Sequence, residues 1–103
     1  MKKSDKLEAI KRLLSLAQSS GEMTALLDDL LTESEIDKIH ERVQILECLS
    51  RGYSQRETAE ATEAAIATVG RGAAVMKKSD LIVDKIIKEG QQLAWWQKLF
   101  WEK

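Results

Sequence analysis

The sequence predicts an all-α fold, and three observations support this. Apolar residues recur at spacings of three and four along the chain, as they do on one face of a helix. No segment alternates apolar and polar residues cleanly enough for a β-strand. Capping-box sequences, which are typical of helix starts, begin at Thr32 and at Ser54. The 103 residues allow a single domain, in which we expect six helices.

The first two helices are predicted in the N-terminal third of the chain. One face of the first helix is formed by Leu7, Ile10, Leu14 and Ala17. We expect Ser4 to cap the start of this helix, and Gly21 to follow its end. The second helix is short, with an apolar face formed by Met23, Leu26, Leu27, Leu30 and Leu31.

Capping boxes define the third and fourth helices. Thr32 and Glu35 would each accept a hydrogen bond from the other's backbone amide, and the helix that follows would end at Arg51-Gly52. Ser54 and Glu57 form the second box. The helix that they start is expected to be short, because it is interrupted at Thr62 and Glu63.

The last two helices complete the predicted chain. The fifth is expected from about Ala64 to Lys78, with Val69 and Ile66 turned to the core. Ser79-Asp80 would cap the sixth, which includes Gly90 as a bend or a break. Its end contains four of the five aromatic residues, namely Trp95, Trp96, Phe100 and Trp101. We expect this tail to pack on the N-terminal helix of the same chain or of a partner.

Composition excludes several classes of protein. One cysteine, Cys48, cannot form an internal disulfide, and one cysteine with one histidine cannot supply a four-ligand Cys/His zinc site. No apolar run is long enough to span a bilayer, and the N-terminus lacks the features of a signal peptide, so we expect a cytoplasmic protein with no membrane partner. No nucleophile lies at a spacing from His40 that would indicate a catalytic pair, and no Gly-rich phosphate loop is present. An enzyme is therefore not expected.

The charge is distributed unevenly although the net charge is only −1. An acidic block over residues 22–47 lies between a basic N-terminus, residues 1–12, and a mildly basic segment, residues 51–78. This asymmetry favours an anionic partner, whereas the alternative is that these charges belong to ordinary solvated helix faces.

The segment from Ser54 to Val75 has the pattern of a helix-turn-helix. Two helices are joined there by a short turn, and Ala59 suits a close contact between them. The segment also contains side chains of the types that contact phosphates and base edges, namely Gln55, Arg56, Thr68 and Arg71.

Residues 26–77 resemble the Trp repressor family of bacterial regulators, which bind operator DNA when charged with L-tryptophan. The resemblance rests on the segments LLDDLLTESE, ERVQILECLSRG, SQRE and IATVGRGA. It implies a six-helix, intertwined homodimer with two recognition helices about 34 Å apart on a palindromic operator. Residues 1–51 would then be dimerisation helices, residues 54–78 the helix-turn-helix, and residues 79–103 the C-terminal helix and aromatic tail.

The resemblance also implies which residues contact DNA. Gln55 and Arg56 would meet phosphates or a base edge. The leading turn of the recognition helix, which faces the major groove, would consist of Ile66, Ala67 and Thr68. Lys77 would add charge near the backbone of the DNA. Gly70 lies on the same helix, where the family has a hydroxyl residue.

A small corepressor, L-tryptophan or another amino acid, is implied as well. Arg71 matches the arginine that pairs with the carboxylate of the corepressor. Gly72 matches the glycine that lets the corepressor lie close to the helix. Arg42 matches the arginine that stacks over the indole. Leu31 and Thr32 match a segment that the other subunit contributes. The main-chain carbonyls of that segment hold the amino group of the ligand. No other cofactor is expected.

The chain departs from the family at several positions. Val75 stands where the family has a serine that contacts the amino group of the ligand, and Glu63 where it has the turn glycine. Two alternatives therefore remain. In the first, which opposes a corepressor site, Arg42 and Arg71 are surface ion-pair partners of Glu41, Glu35 or Glu57. In the second, which opposes a repressor, the whole chain is a helical dimerisation module that keeps the fold without binding DNA.

Overall fold

The computed structural model describes residues 1–79 and 81, and this part of the chain contains helices and no strands. The five helices are α1 (Lys3–Leu14), α2 (Ser20–Leu30), α3 (Glu33–Ser50), α4 (Gln55–Thr62) and α5 (Ile66–Lys78). The all-α prediction is therefore confirmed. Of the predicted sixth helix, Asp80 in its predicted Ser79-Asp80 cap and everything after Leu81, including Gly90 and the aromatic tail, lie outside the described residues.

The chain divides into two compact units, the first over Met1–Ile36 and the second from Asp37 onward. The first unit contains α1 and α2. The second contains most of α3 together with α4 and α5, and thus the whole of the predicted helix-turn-helix.

Both predicted ends of the first helix are wrong. Lys2 occupies the cap position of α1, so Ser4 lies inside the first turn. The helix ends at Leu14. Gly21 lies within α2, which starts earlier than expected because the Ser19 hydroxyl accepts a hydrogen bond of 3.1 Å from the Glu22 amide.

The two capping boxes are confirmed, and they fix the starts of α3 and α4. The Thr32 amide donates to Glu35 at 2.9 Å, and the Glu35 amide donates to the Thr32 hydroxyl at 3.2 Å. Both bonds between Ser54 and Glu57 measure 3.0 Å. Each box pairs two amides that a helix start would otherwise leave without a partner.

The end of α3 is confirmed as well. Gly52 has φ of 90°, a left-handed conformation that glycine adopts without steric cost. Arg51, the residue before Gly52, places its Nε atom 2.8 Å from a carboxylate oxygen of Glu47, one turn earlier, whose side chain is 5% exposed. This ion pair closes the last turn of the helix.

The predicted start of the fifth helix is wrong by two residues. Glu63 has a left-handed backbone with φ of 61°, and Ala65 is extended, so the helix begins at Ile66. Ala64, between them, is buried and contributes to the core instead.

The core of the second unit lies where α3, α4 and α5 contribute side chains to one cluster. Ile45, Ala64 and Val69 are buried, and Leu49 and Ala59 pack against them. The prediction for Val69 is thus confirmed and that for Ala59 agrees with its packing. The prediction that Ile66 faces the core is wrong, because Ile66 is 57% exposed at the leading end of α5.

Candidate functional site

The helix-turn-helix consists of α4, the turn at residues 63–65 and α5, and its two helices pack against each other. Thr58 on α4 and Val69 on α5 are both fully buried. Burial of one residue from each helix fixes the pair as a unit, so the exposed side chains on it are held in a defined arrangement.

The predicted DNA contacts lie mostly on the exposed surface of this unit. Five of the seven side chains are exposed, namely Gln55, Arg56, Ile66, Ala67 and Lys77. Thr68 and Gly70 are half-buried. Exposed apolar residues at the start of a recognition helix suit contact with thymine methyl groups in a major groove.

The structure brings Gln55 and Gly70 together. A Cβ atom placed on Gly70 would lie 3.7 Å from Gln55 Oε1. The first residue of α4 therefore lies beside α5, and predicted contacts from both helices share one surface.

Arg56 is available for an external anion. Its side chain is 89% exposed, and its nearest carboxylate, on Glu60, is 3.9 Å from Nε. An exposed ion pair of this kind contributes only about 0.3–0.5 kcal/mol. A phosphate would therefore displace Glu60 at little cost.

The start of α5 adds a second feature that suits phosphate. The cap residue, Ala65, offers no side-chain acceptor to the first amides of the helix. Those amides and the helix dipole favour an anion at this end. By contrast, Ser54 and Glu57 already cap the start of α4.

A cavity of about 560 Å³ lies in the second unit, between α3 and α5. Its volume falls within the range of small-molecule sites. The α3 residues that line it are Lys38, Glu41, Arg42, Ile45 and Leu46. The α5 residues are Thr68, Arg71, Gly72 and Val75. Three of the five positions expected to hold a corepressor, Arg42, Arg71 and Gly72, thus line one cavity.

The two arginines do not form the ion pairs considered as an alternative. Among residues 1–79 and 81, neither Arg42 nor Arg71 pairs with a carboxylate. Glu35 and Glu57 instead accept hydrogen bonds from the capped amides of Thr32 and Ser54. Both guanidinium groups can therefore bind an anion that enters the cavity.

Gly72 has a packing role that the sequence did not indicate. A Cβ atom at this position would lie 2.6 Å from Cγ2 of Ile45, which is buried. The close approach of α5 to α3 therefore requires glycine, whether or not a ligand is present.

Leu31 and Thr32, the remaining corepressor positions, belong to the first unit. Leu31 follows α2 with an extended backbone. The Thr32 carbonyl accepts a hydrogen bond of 3.0 Å from the Ile36 amide. A carbonyl has two lone pairs, so Thr32 keeps the capacity to accept from a ligand.

The sequence predictions assigned no ligand contact to several residues of the cavity wall. Lys38, Ile45 and Leu46 lie four, three and four residues from Arg42, on adjoining parts of the same helix face. Helical spacing from Arg42 is thus the signal that would have indicated them.

Cys48 and His40, two side chains with reactive or metal-binding chemistry, do not form a functional site. Burial, and then the neighbouring Glu47 carboxylate, raise the pKa of the Cys48 thiol to about 12, so the thiol stays protonated near neutral pH. His40 is exposed on α3, as predicted for a surface residue. Within the described residues, no cluster of His, Cys, Asp and Glu side chains is arranged to hold a metal ion.

A second groove, of about 640 Å³, lies in the first unit. Its apolar wall is formed by Leu7, Ile10, Leu14 and Met23. Neither α1 nor α2 contains a buried residue in the single chain.

No helix in the described part of the chain has the length and apolar character needed to cross a membrane.

Comparison with known proteins agrees with this geometry. The family model described as "Trp repressor protein" matches residues 5–91. Proteins named "Trp operon repressor homolog" from Xylella fastidiosa strains M23 and Temecula1 are 29% identical over 82 residues, which cover 79% of this chain and 89% of theirs. No solved structure is a significant match to the chain. The matched region contains the helix-turn-helix and all residues that line the cavity.

Proposed function

Because the chain belongs to the Trp repressor family, a family of DNA-binding transcriptional regulators and not of enzymes, we propose that it is a sequence-specific repressor acting as a homodimer. The observation that carries this proposal is the exposed surface shared by α4 and α5. It presents Gln55, Arg56 and the leading turn of α5 to the solvent on two helices that pack against each other.

Each part of that surface supports one aspect of DNA binding. Arg56 and the uncapped start of α5 suit phosphates, which position a protein on the duplex. Ile66, Ala67 and Thr68 suit base edges and thymine methyl groups, which give sequence specificity. Lys77, exposed in the last turn of α5, adds a further positive charge.

Exposed apolar side chains support the homodimer. In α1 alone, Leu7 is 54% and Ile10 is 47% exposed, and further apolar side chains are exposed on α2 and on the first half of α3. Apolar surface of this extent is stabilised when a second copy covers it. A two-fold dimer would also present two copies of α5 to a palindromic operator.

The cavity between α3 and α5 supports a small corepressor. Arg71 would pair with a carboxylate, Arg42 would lie over the body of the ligand, and Leu31 and Thr32 of the other subunit would hold an amino group. L-Tryptophan or another small amino acid is the ligand that the family resemblance implies. A regulator of operator DNA would act in the cytoplasm.

Selection from genomic DNA tests the proposed function. Purified protein would be incubated with fragmented genomic DNA at low salt, with and without L-tryptophan, and the bound fragments sequenced. We expect enrichment of a palindromic site, bound more weakly as salt rises. If no fragment is enriched under either condition while the protein remains a folded dimer, the helical-module alternative replaces the repressor.

Arg56→Ala provides the matched variant for this experiment. Loss of one phosphate contact per subunit should lower affinity for all duplexes and reduce the salt dependence by about two ions per dimer. Lys6→Ala removes the same charge from an exposed position on α1 and should leave both quantities unchanged. Equal effects of the two variants would contradict a specific role for Arg56.

A further inference from the structure

Positively charged side chains outnumber negatively charged ones in the lining of the cavity between α3 and α5. Lys38, Arg42 and Arg71 contribute three positive charges, whereas Glu41 contributes the one negative charge of its lining. The net charge of the lining is therefore +2, although α3 as a whole is acidic.

None of the three cations is paired within the part of the chain that the structure describes. The four ion pairs there involve Glu8, Glu47 and Glu60, and none includes Lys38, Arg42 or Arg71. Glu41 therefore leaves the cationic groups free for an anion from outside.

The cations lie on both sides of the cavity. Lys38 and Arg42 are four residues apart on α3, which places them one turn apart on the same face. Arg71 lies on α5. A ligand between the helices thus meets one cation on α5 and two on α3, with apolar wall from Ile45, Leu46 and Val75 beside them.

We propose that this cavity binds an organic dianion, a compact apolar body with two carboxylates, in preference to a zwitterionic amino acid. The proposal rests on the proposed function, because it names the effector class of the same cavity, and it replaces the amino acid that the family resemblance implies. One carboxylate pairs with Arg71 and the other with Lys38 and Arg42, while the apolar body contacts Ile45, Leu46 and Val75.

Charge complementarity is the reason for this preference. A dianion neutralises the excess charge of the lining, a monoanion leaves one positive charge, and a zwitterion leaves two. Val75 also presents methyl groups to the cavity, which accept no hydrogen bond from an ammonium group.

A matched series of probes separates these ligand classes. 2-Phenylsuccinate, 3-phenylpropionate and L-phenylalanine share one ring and differ in net charge, and L-tryptophan is the fourth probe. Their affinities for the full-length protein would be measured by isothermal titration calorimetry at low salt, without DNA. We expect 2-phenylsuccinate to bind roughly tenfold more tightly than 3-phenylpropionate, with a difference that shrinks as salt rises.

Variants test the assignment of the two carboxylates. Lys38→Gln should remove most of the preference for 2-phenylsuccinate but retain binding of 3-phenylpropionate. Arg71→Gln should weaken both ligands. Lys6→Gln, an equal change of charge outside the cavity, should bind both ligands as the wild type does. Thermal unfolding of each variant would establish that it is folded.

The outcomes distinguish this proposal from the proposed function. Equal affinity for 2-phenylsuccinate and 3-phenylpropionate, no binding of either, or tighter binding of L-tryptophan than of both would overturn the dianion proposal. DNA selection by the ligand-free protein would stand regardless of these results. Conversely, dianion binding by a protein that selects no DNA would refute the repressor and leave the ligand class intact.

Discussion

Two glycines on α5, Gly70 and Gly72, differ in what surrounds them, and the difference can be measured. A Cβ atom on Gly72 would lie 2.6 Å from Ile45 Cγ2. That methyl group is attached directly to the β-carbon of a buried side chain, so it cannot swing away. A Cβ atom on Gly70 would make only an ordinary contact, at 3.7 Å from Gln55 Oε1.

We therefore expect opposite effects from the same substitution. Gly72→Ala should destabilise the protein, because overpacking costs about 1–3 kcal/mol and outweighs the gain of about 1 kcal/mol in helix propensity. Gly70→Ala should stabilise it by about 1 kcal/mol, because alanine is the better helix former. Urea unfolding of both variants checks this. A Gly72→Ala variant as stable as Gly70→Ala would show that α5 does not approach α3 so closely.

Two threonines on α4 form a second matched pair. Thr58 is fully buried, and its hydroxyl has no hydrogen-bond partner in the described part of the chain. The Thr62 hydroxyl donates to the Thr58 carbonyl at 2.7 Å and accepts from the Ala64 amide at 3.3 Å.

Replacement by valine, which has nearly the same shape, isolates the two hydroxyl groups. Thr58→Val should raise the free energy of unfolding by about 1 kcal/mol, because it removes a buried hydroxyl group that makes no hydrogen bond. Thr62→Val should lower it by about 1 kcal/mol. Chemical denaturation measures both, and a loss of stability in Thr58→Val would imply a partner for that hydroxyl.

The residues of the site illustrate what sequence could and could not predict. Arg42 and Arg71 were expected together from a family resemblance, and the structure places both at one cavity. Lys38 was not expected, because a single lysine on an acidic helix resembles any solvated charge. The packing role of Gly72 depends on the distance between two helices that are far apart in sequence, which no local pattern contains.

At the scale of helices, local hydrogen bonds explain which boundaries were predictable. The starts of α3 and α4 depend on side chains within three residues of the cap, and both capping boxes could be recognised in the sequence. The start of α5 depends on burial of Ala64 and on the left-handed Glu63, both of which are set by tertiary packing. The end of α1 lacks a glycine or proline signal, so the sequence predicts a longer helix than the one that ends at Leu14.

The capping box of α4 should make stability depend on pH. A hydrogen bond from the Ser54 backbone amide, and then one with the Ser54 side chain, lower the pKa of Glu57 below its ordinary value of 4.5. The folded state thus favours the ionised carboxylate. Its contribution is complete above pH 4.5 and is lost as the pH falls through the lowered pKa.

Glu57→Gln should remove this contribution. The wild type should be more stable than the variant at neutral pH, and the difference should shrink towards zero as the solution is acidified well below pH 4.5. Glu60→Gln, an equal change on the same helix at a residue that caps no amide, is the control. Thermal unfolding across pH measures the difference, and a pH-independent difference would refute the coupling.

At the scale of the whole molecule, the exposed apolar faces of α1 and α2 and the proposed homodimer belong to one explanation. The described part of a single chain buries few apolar side chains, and all that are buried lie in the second unit. Sequence predicted the apolar faces of the first two helices, because periodicity is a local property. It predicted the dimer only through family resemblance, since periodicity alone does not indicate which molecule covers an apolar face.

In the proposed function, two copies of this chain bind one palindromic duplex through α4 and α5. The most direct test is a stoichiometric titration of the selected duplex, followed by analytical ultracentrifugation of the complex. Two chains per duplex for the wild type and for Lys6→Ala, with markedly weaker binding for Arg56→Ala, is the predicted result. One chain per duplex, or binding that Arg56→Ala leaves unchanged, would contradict the account.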